Sequence, residues 1–173
     1  ASFNGKTIET STPLTKDGEL VLYTWRDQKG KEAFWHSSAH ILAQALEDLY
    51  PNIKLTIGPA IENGFYYDID LVDNTISEKD LTTIENKMLE IARGKHTFSI
   101  RESSKADALG YYKEQGNQYK VELIKNLEEG TITFCDHDNF TDLCRGGHIP
   151  HTGMVKAIKL MSIAGAYWRG DEN

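Results

Sequence analysis

A single helical run constrains this chain most. From Glu32 to Leu49, Phe34, Ile41, Leu42, Ala45, Leu46 and Leu49 recur at three- and four-residue spacings, and Pro51 stops the run. Such a helix needs a sheet or another helix to cover its apolar stripe. The next segment, KLTIGPAIENGFYYDIDL, offers one: two strands, about Lys54–Ile61 and Phe65–Leu71, joined at Glu62-Asn63-Gly64, where Asn-Gly is a strong hairpin signal.

The same logic continues along the chain. Ser77 and Asp80 have capping-box spacing, and Leu81, Ile84, Met88 and Ile91 trace one helical face toward Gly94. His96–Glu102 and Thr131–Asp136 read as strands, and Lys105–Glu114 and Tyr119–Leu127 as short helices. A turn-rich segment, DHDNFTDLCRGGHIPHTG, follows, and residues 155–168 suggest a closing strand. Residues 1–30 differ, with short β-type runs such as Glu19–Trp25 broken by Gly and Pro, too few to bury a core alone. The expected fold class is α+β: helices packed on a mostly antiparallel β-sheet, preceded by a small β-rich remnant.

Composition excludes more than it selects. At 39% hydrophobic and 26% charged residues the chain is ordinary for a soluble domain. No apolar run approaches the roughly 18 residues of a membrane span, and the N-terminus carries neither a basic leader nor an apolar stretch. Two cysteines are too few for a disulfide framework and fit a reduced, cytoplasmic setting. The net charge of −7 argues against coating nucleic acid through a broad basic surface. It still allows a module tethered to an RNA-binding enzyme to receive one strand end.

Two motifs carry chemistry. In His36-Ser37-Ser38-Ala39-His40 the spacing of four puts both imidazoles on one helical face, with Cβ atoms about 5–6 Å apart. In Cys144-Arg145-Gly146-Gly147-His148 a thiol and an imidazole share a loop, with Asp142 two residues earlier. Three readings compete. The two histidines are a packing pair and Cys144 a buried small residue; or His36, His40, Cys144 and His148 are a His₃Cys zinc site; or imidazoles, a lysine and a carboxylate position a water without metal. No H-E-x-x-H glutamate is present. His96, His137 and His151 read as surface histidines and Glu128-Glu129 as a solvated turn. Alternation sends Tyr66 and Tyr67 to opposite faces, so one of them can line a pocket.

FWHSSAH (34–40), GPAIENGFYYDID (58–70), DLCRGGHIP (142–150) and KLMSIAGAYWRGDEN (159–173), in this order, resemble the editing region of threonyl-tRNA synthetases across residues 30–173. Residues 1–30 resemble the second half of the small TGS domain of those enzymes. The resemblance implies two units, a partial TGS-like segment over 1–30 and an editing domain over 31–173 that ends at the junction to a synthetase core. It implies hydrolysis of a seryl ester on threonine tRNA, because one methyl group gives a pocket only about 1–3 kcal/mol of discrimination.

Carried onto this sequence, the family's catalytic pocket falls on His36, His40, Lys120, Asp142, Cys144 and His148, with Gly58 and Tyr67 against the substrate. Lys120 would hold a ribose hydroxyl or the water, His36 would position or deprotonate that water, and Asp142 would bind the serine ammonium. Without the resemblance, Lys120 reads as an exposed helix lysine. Gly147 departs from the family pattern, where Pro or Val is more usual. The related alanyl editing domains share the histidine and cysteine spacing and use zinc, whereas the threonyl type is expected to need no cofactor, with ATP confined to the synthetase core. Expected partners are the serine-bearing 3′ end of threonine tRNA and the remainder of the synthetase in cis, with no membrane. The whole enzyme would be a homodimer and this piece a monomer. The competing binding-class reading is an acceptor-end docking module without activity of its own.

Overall fold

The computed structural model describes residues 1–165 and Trp168. It begins with three two-residue strands, β1 (Ser2–Phe3), β2 (Lys6–Thr7) and β3 (Leu20–Val21), antiparallel in the order β2-β1-β3. The long helix α1 follows over Gln28–Leu49, four residues earlier than the periodicity suggests. Every residue from Ser37 to Leu46 is buried, so the middle of the helix is enclosed on all sides and a one-sided stripe describes only its ends. Two serines are accommodated there because Ser37 Oγ and Ser38 Oγ donate back to the carbonyls of Ala33 and Phe34, at 2.7 and 2.8 Å.

The expected hairpin is present as two short ladders. β4 (Lys54–Leu55) pairs with β7 (Ile69–Asp70), and β5 (Ala60–Ile61) pairs with β6 (Gly64–Phe65). Helix α2 (Leu81–Arg93) buries Ile84, Met88, Ile91 and Ala92, and the amide and hydroxyl of Ser77 both donate to the Asp80 carboxylate at its start. Next come β8 (Ser99–Glu102), α3 (Lys105–Glu114) and α4 (Gln118–Lys125), capped by Ser104 and Asn117 side chains respectively. β9 (Thr133–His137) and β10 (Phe140–Leu143) complete a three-stranded antiparallel sheet in the order β10-β9-β8. The class is α+β, as the order of elements implies.

Alternation along β9 divides the interior. Cys135 joins Phe98, Phe140, Ile41, Met88 and Ile91 in one buried cluster with α1 and α2. Phe134 and Ile132 join Tyr112, Ala108 and Ile124 in a second cluster with α3 and α4. Two expectations need correction. Part of the segment read as turns, Phe140–Leu143, is a strand, which puts Asp142 directly opposite Cys135. The closing strand does not form: the described residues of 155–168 contain no strand, and Ala166 and Tyr167 lie outside the described residues. Ile158 and Leu160 pack on the core as apolar residues should, yet the Leu160 amide donates to Glu85 on α2 at 2.7 Å rather than to a strand edge. Side-chain burial there resembles a strand, while backbone pairing does not.

Candidate active site

α1 carries His36 and His40 toward the sheet, and the loop after β10 brings Cys144 and His148 to meet them. His36 Nε2 lies 3.0 Å from Cys144 Sγ, and His148 Nε2 lies 3.3 Å from the same sulfur. The rings of His36 and His40 are 4.7 Å apart between centroids, and those of His36 and His148 4.9 Å. Phe98 stacks on the far side of His148 at 5.0 Å. The loop reaches this position because Gly146 and Gly147 both adopt positive φ, +86° and +90°. A Pro or Val at 147 would be strained in that conformation.

A second group adjoins the first. Lys120 is 3% exposed, and its Nζ lies 2.5 Å from Asp142 Oδ1. The reading of Lys120 as a solvated helix residue is therefore wrong: it lies in the first turn of α4, which Asn117 caps, and its side chain reaches inward to Asp142. Asp142 also accepts from Tyr67 Oη at 2.5 Å, Tyr112 Oη at 3.3 Å and the Leu143 amide at 2.8 Å. Four donors on one buried carboxylate make this a satisfied polar network. All eight residues expected at the site line one cavity of about 970 Å³, within the usual range for a ligand pocket.

Gly58 faces the ring of Tyr67, and a Cβ there would overlap it. Gly58→Ala is expected to displace Tyr67 from Asp142 and to destabilise the chain by about 1–3 kcal/mol. Urea unfolding with a crystal structure of the variant checks this; an unmoved Tyr67 with unchanged stability would contradict it.

Electrostatics separate the histidines. Burial holds His40 below its ordinary value, and among the described residues neither of its ring nitrogens has a hydrogen-bond partner, Nδ1 lying 3.6 Å from Asp142. For His148 burial acts in the same direction, but hydrogen bonds with Cys144 and Glu9 outweigh it and raise the imidazole to about 9. A hydrogen bond with Cys135, opposed by burial and assisted by His40, His148 and His36, holds the Cys144 thiol well below its usual range. Burial and the adjacent Asp142 push Tyr67 well above the ordinary phenol value, keeping it a donor.

Glu9, Tyr112 and His137 were not anticipated at the site. His137, expected at the surface, is 2% exposed and packs on Phe98, Phe140 and His40. Its place on β9, two residues from Cys135, is the signal that alternation offered. Glu9 had none, since only the folded chain brings it next to residue 148.

Comparison with known proteins gives the family of the chain. Residues 132–173 match the family described as threonyl and alanyl tRNA synthetase second additional domain. The threonine–tRNA ligase of Flavobacterium johnsoniae is 69% identical over 172 residues, which are 99% of this chain and 26% of that protein. Those of Porphyromonas gingivalis and Cytophaga hutchinsonii are 54% and 53% identical, again over 99% of the chain. The chain belongs to the threonyl-tRNA synthetase family. It spans about a quarter of the length of these relatives.

The donor set of this synthetase region fits a zinc ion. One nitrogen from each of His36, His40 and His148 and the Cys144 sulfur lie within 4.8 Å of one another, a ligand set of the type that holds tetrahedral zinc. Among the described residues, no helix is long and apolar enough to cross a membrane.

Proposed function

We propose that this chain hydrolyses the seryl ester on threonine tRNA, the editing reaction of a threonyl-tRNA synthetase, in the cavity lined by His36, Lys120 and Cys144. The observation that carries this reading is the buried Lys120 ammonium, held by Asp142 and Tyr67 at one wall of the cavity. Burying an ammonium costs several kcal/mol unless it is paired and hydrogen-bonded, as Lys120 is here.

In the proposed reaction a water oxygen attacks the ester carbonyl carbon, and His36, the least buried of the four-residue cluster, takes the water's proton. Lys120 stabilises the carbonyl oxygen as it gains negative charge. The bond from that carbon to the ribose oxygen then breaks, and His36 returns the proton to the departing oxygen, leaving free serine and tRNA. Asp142 orients Lys120 and Tyr67 rather than binding the serine ammonium, because both of its oxygens are already engaged. Tyr67, set against Gly58, bounds the pocket where the extra methyl of threonine would fall, the exclusion that spares the correct ester. The tRNA itself would be held by the remainder of the synthetase in cis, since a chain of net charge −7 offers little phosphate affinity. In this reading the setting is cytoplasmic and no metal takes part.

A second reading is favoured by the unpartnered nitrogens of His40 and the close four-donor set. Here His36, His40, Cys144 and His148 would hold zinc, which supplies Lewis acidity when bound. Metal analysis of protein purified without chelator separates the two. Less than about one tenth of an equivalent with full activity supports the metal-free reaction, and activity lost on chelation and restored by zinc supports the other.

The primary test incubates the chain with seryl- and threonyl-esterified threonine tRNA. Selective loss of serine is expected. If neither ester is lost at high protein concentration, the chain is an acceptor-end docking module and the hydrolytic reading fails.

A further inference from the structure

The N-terminal segment reaches into the site through one side chain. Glu9 lies in the loop between β2 and β3 and is 8% exposed. Its Oε1 accepts from the Gly147 amide at 2.8 Å and sits 3.0 Å from His148 Nδ1, while Oε2 accepts from the His148 amide at 3.2 Å. Three contacts therefore converge on one carboxylate from a residue pair 138–139 positions away.

We propose that Glu9 is a positioning residue of this site: its carboxylate fixes a proton on His148 Nδ1 and so turns Nε2 toward Cys144 Sγ. A carboxylate only accepts, so Nδ1 must be the protonated nitrogen in that contact. The other ring nitrogen then faces the sulfur, 3.3 Å away, whichever of the two atoms carries the proton between them. The same carboxylate holds the amides of a loop whose two glycines occupy the left-handed region, a conformation with little intrinsic preference for one shape. A segment read from the sequence as a separate β-rich unit thus completes the shell behind the candidate catalytic cysteine and histidine, in the way that carboxylates orient histidines in other sites. The consequence for turnover rests on the deacylase reading; the consequence for His148 does not.

Glu9→Gln tests this with almost no change of shape. With the NH₂ in place of Oε1 it opposes the Gly147 and Nδ1 N–H groups. In place of Oε2 it opposes the His148 amide while the oxygen still accepts from Nδ1, so Glu9→Leu, which has no acceptor, reads the Nδ1 proton. In ¹⁵N-histidine-labelled chain, with the His148 ring identified by its loss in His148→Gln, the wild type is expected to show a protonated Nδ1. Glu9→Leu is expected to shift that nitrogen toward the unprotonated state or into exchange. Seryl-ester hydrolysis by Glu9→Gln should fall in kcat by roughly 10–100-fold with little change in KM, and Glu9→Asp should recover part of the loss. Melting curves show whether each variant is folded. If the wild type is active, a Glu9→Gln kcat equal to wild type overturns the positioning role. If the wild type hydrolyses neither ester, the deacylase reading fails, and the ring spectra alone decide: an unmoved Nδ1 signal in Glu9→Leu overturns the proposal and a moved one sustains it.

Discussion

Lys120→Met is expected to destabilise the chain by about 3–5 kcal/mol at neutral pH and to slow seryl-ester hydrolysis by roughly 10²–10³-fold. The two effects share a cause. Lys120 and Asp142 are each 3% exposed, with Nζ and Oδ1 2.5 Å apart, so removing the ammonium leaves a buried carboxylate with only neutral donors around it. Tyr67, Tyr112 and the Leu143 amide still donate, but none supplies a compensating charge. Combining Lys120→Met with Asp142→Asn removes both charges, and much of the stability should return because a neutral pair escapes most of the desolvation cost. Hydrolysis should not return. Urea denaturation of the two single variants and the double variant, with ester assays on each, checks this. A Lys120→Met chain as stable as wild type would mean that the pair contributes nothing to folding; a fully active one would remove Lys120 from the mechanism.

The second large effect belongs to acid. Among the described residues His137 has no hydrogen-bond partner on either ring nitrogen, and burial, aided by the neighbouring His40, His148 and His96, lowers it to about 3. In the unfolded chain the same imidazole takes up a proton below about 6.5. Between those two values the unfolded state binds the extra proton and the folded state does not, so stability is lost as pH falls from about 6.5 toward 3. Each pH unit is worth about 1.4 kcal/mol, and the whole window on the order of 4–5 kcal/mol. His137→Phe keeps an aromatic ring between Phe98 and Phe140 and cannot titrate. Its stability should fall much less steeply across the window than that of the wild type. Carboxylates that titrate in the same range act on both proteins, so the difference between their slopes isolates His137. Parallel losses in the two proteins would show that His137 is not held neutral by the fold.

Much of this site was legible before any coordinate. The spacing of four in His36 and His40 survives folding because helical geometry is local, and one turn puts both rings on one face whatever surrounds them. The hairpin at Asn63-Gly64 is local in the same sense. Tyr66 is exposed and Tyr67 lines the cavity, the opposite-face arrangement expected, although both lie in the link between β6 and β7 rather than in a strand. Cys144, His148 and the nearby Asp142 stood out as a loop motif, whereas Lys120 and Gly58 came through family resemblance, and their own neighbourhoods in the sequence did not single them out.

Tertiary structure decided the rest. Lys120 is buried because α4 packs with its first turn toward β10, and no pattern within Gln118–Lys125 distinguishes an inward lysine from an outward one. Residues 155–165 have the apolar content of a strand and lack the neighbour to pair with, since a ladder needs two backbones and a sequence describes one. His137 and Glu9 sit at the extremes of this division. The face of β9 that carries His137 follows from alternation, but its burial depends on Phe98 and Phe140 arriving from other strands or loops. Glu9 meets His148 across 139 positions, and only the closed fold brings a loop of the N-terminal sheet against the Gly146-Gly147 turn. Local geometry is a property of neighbouring residues, whereas burial, charge pairing and long-range contact arise from surfaces that exist only once the chain has folded.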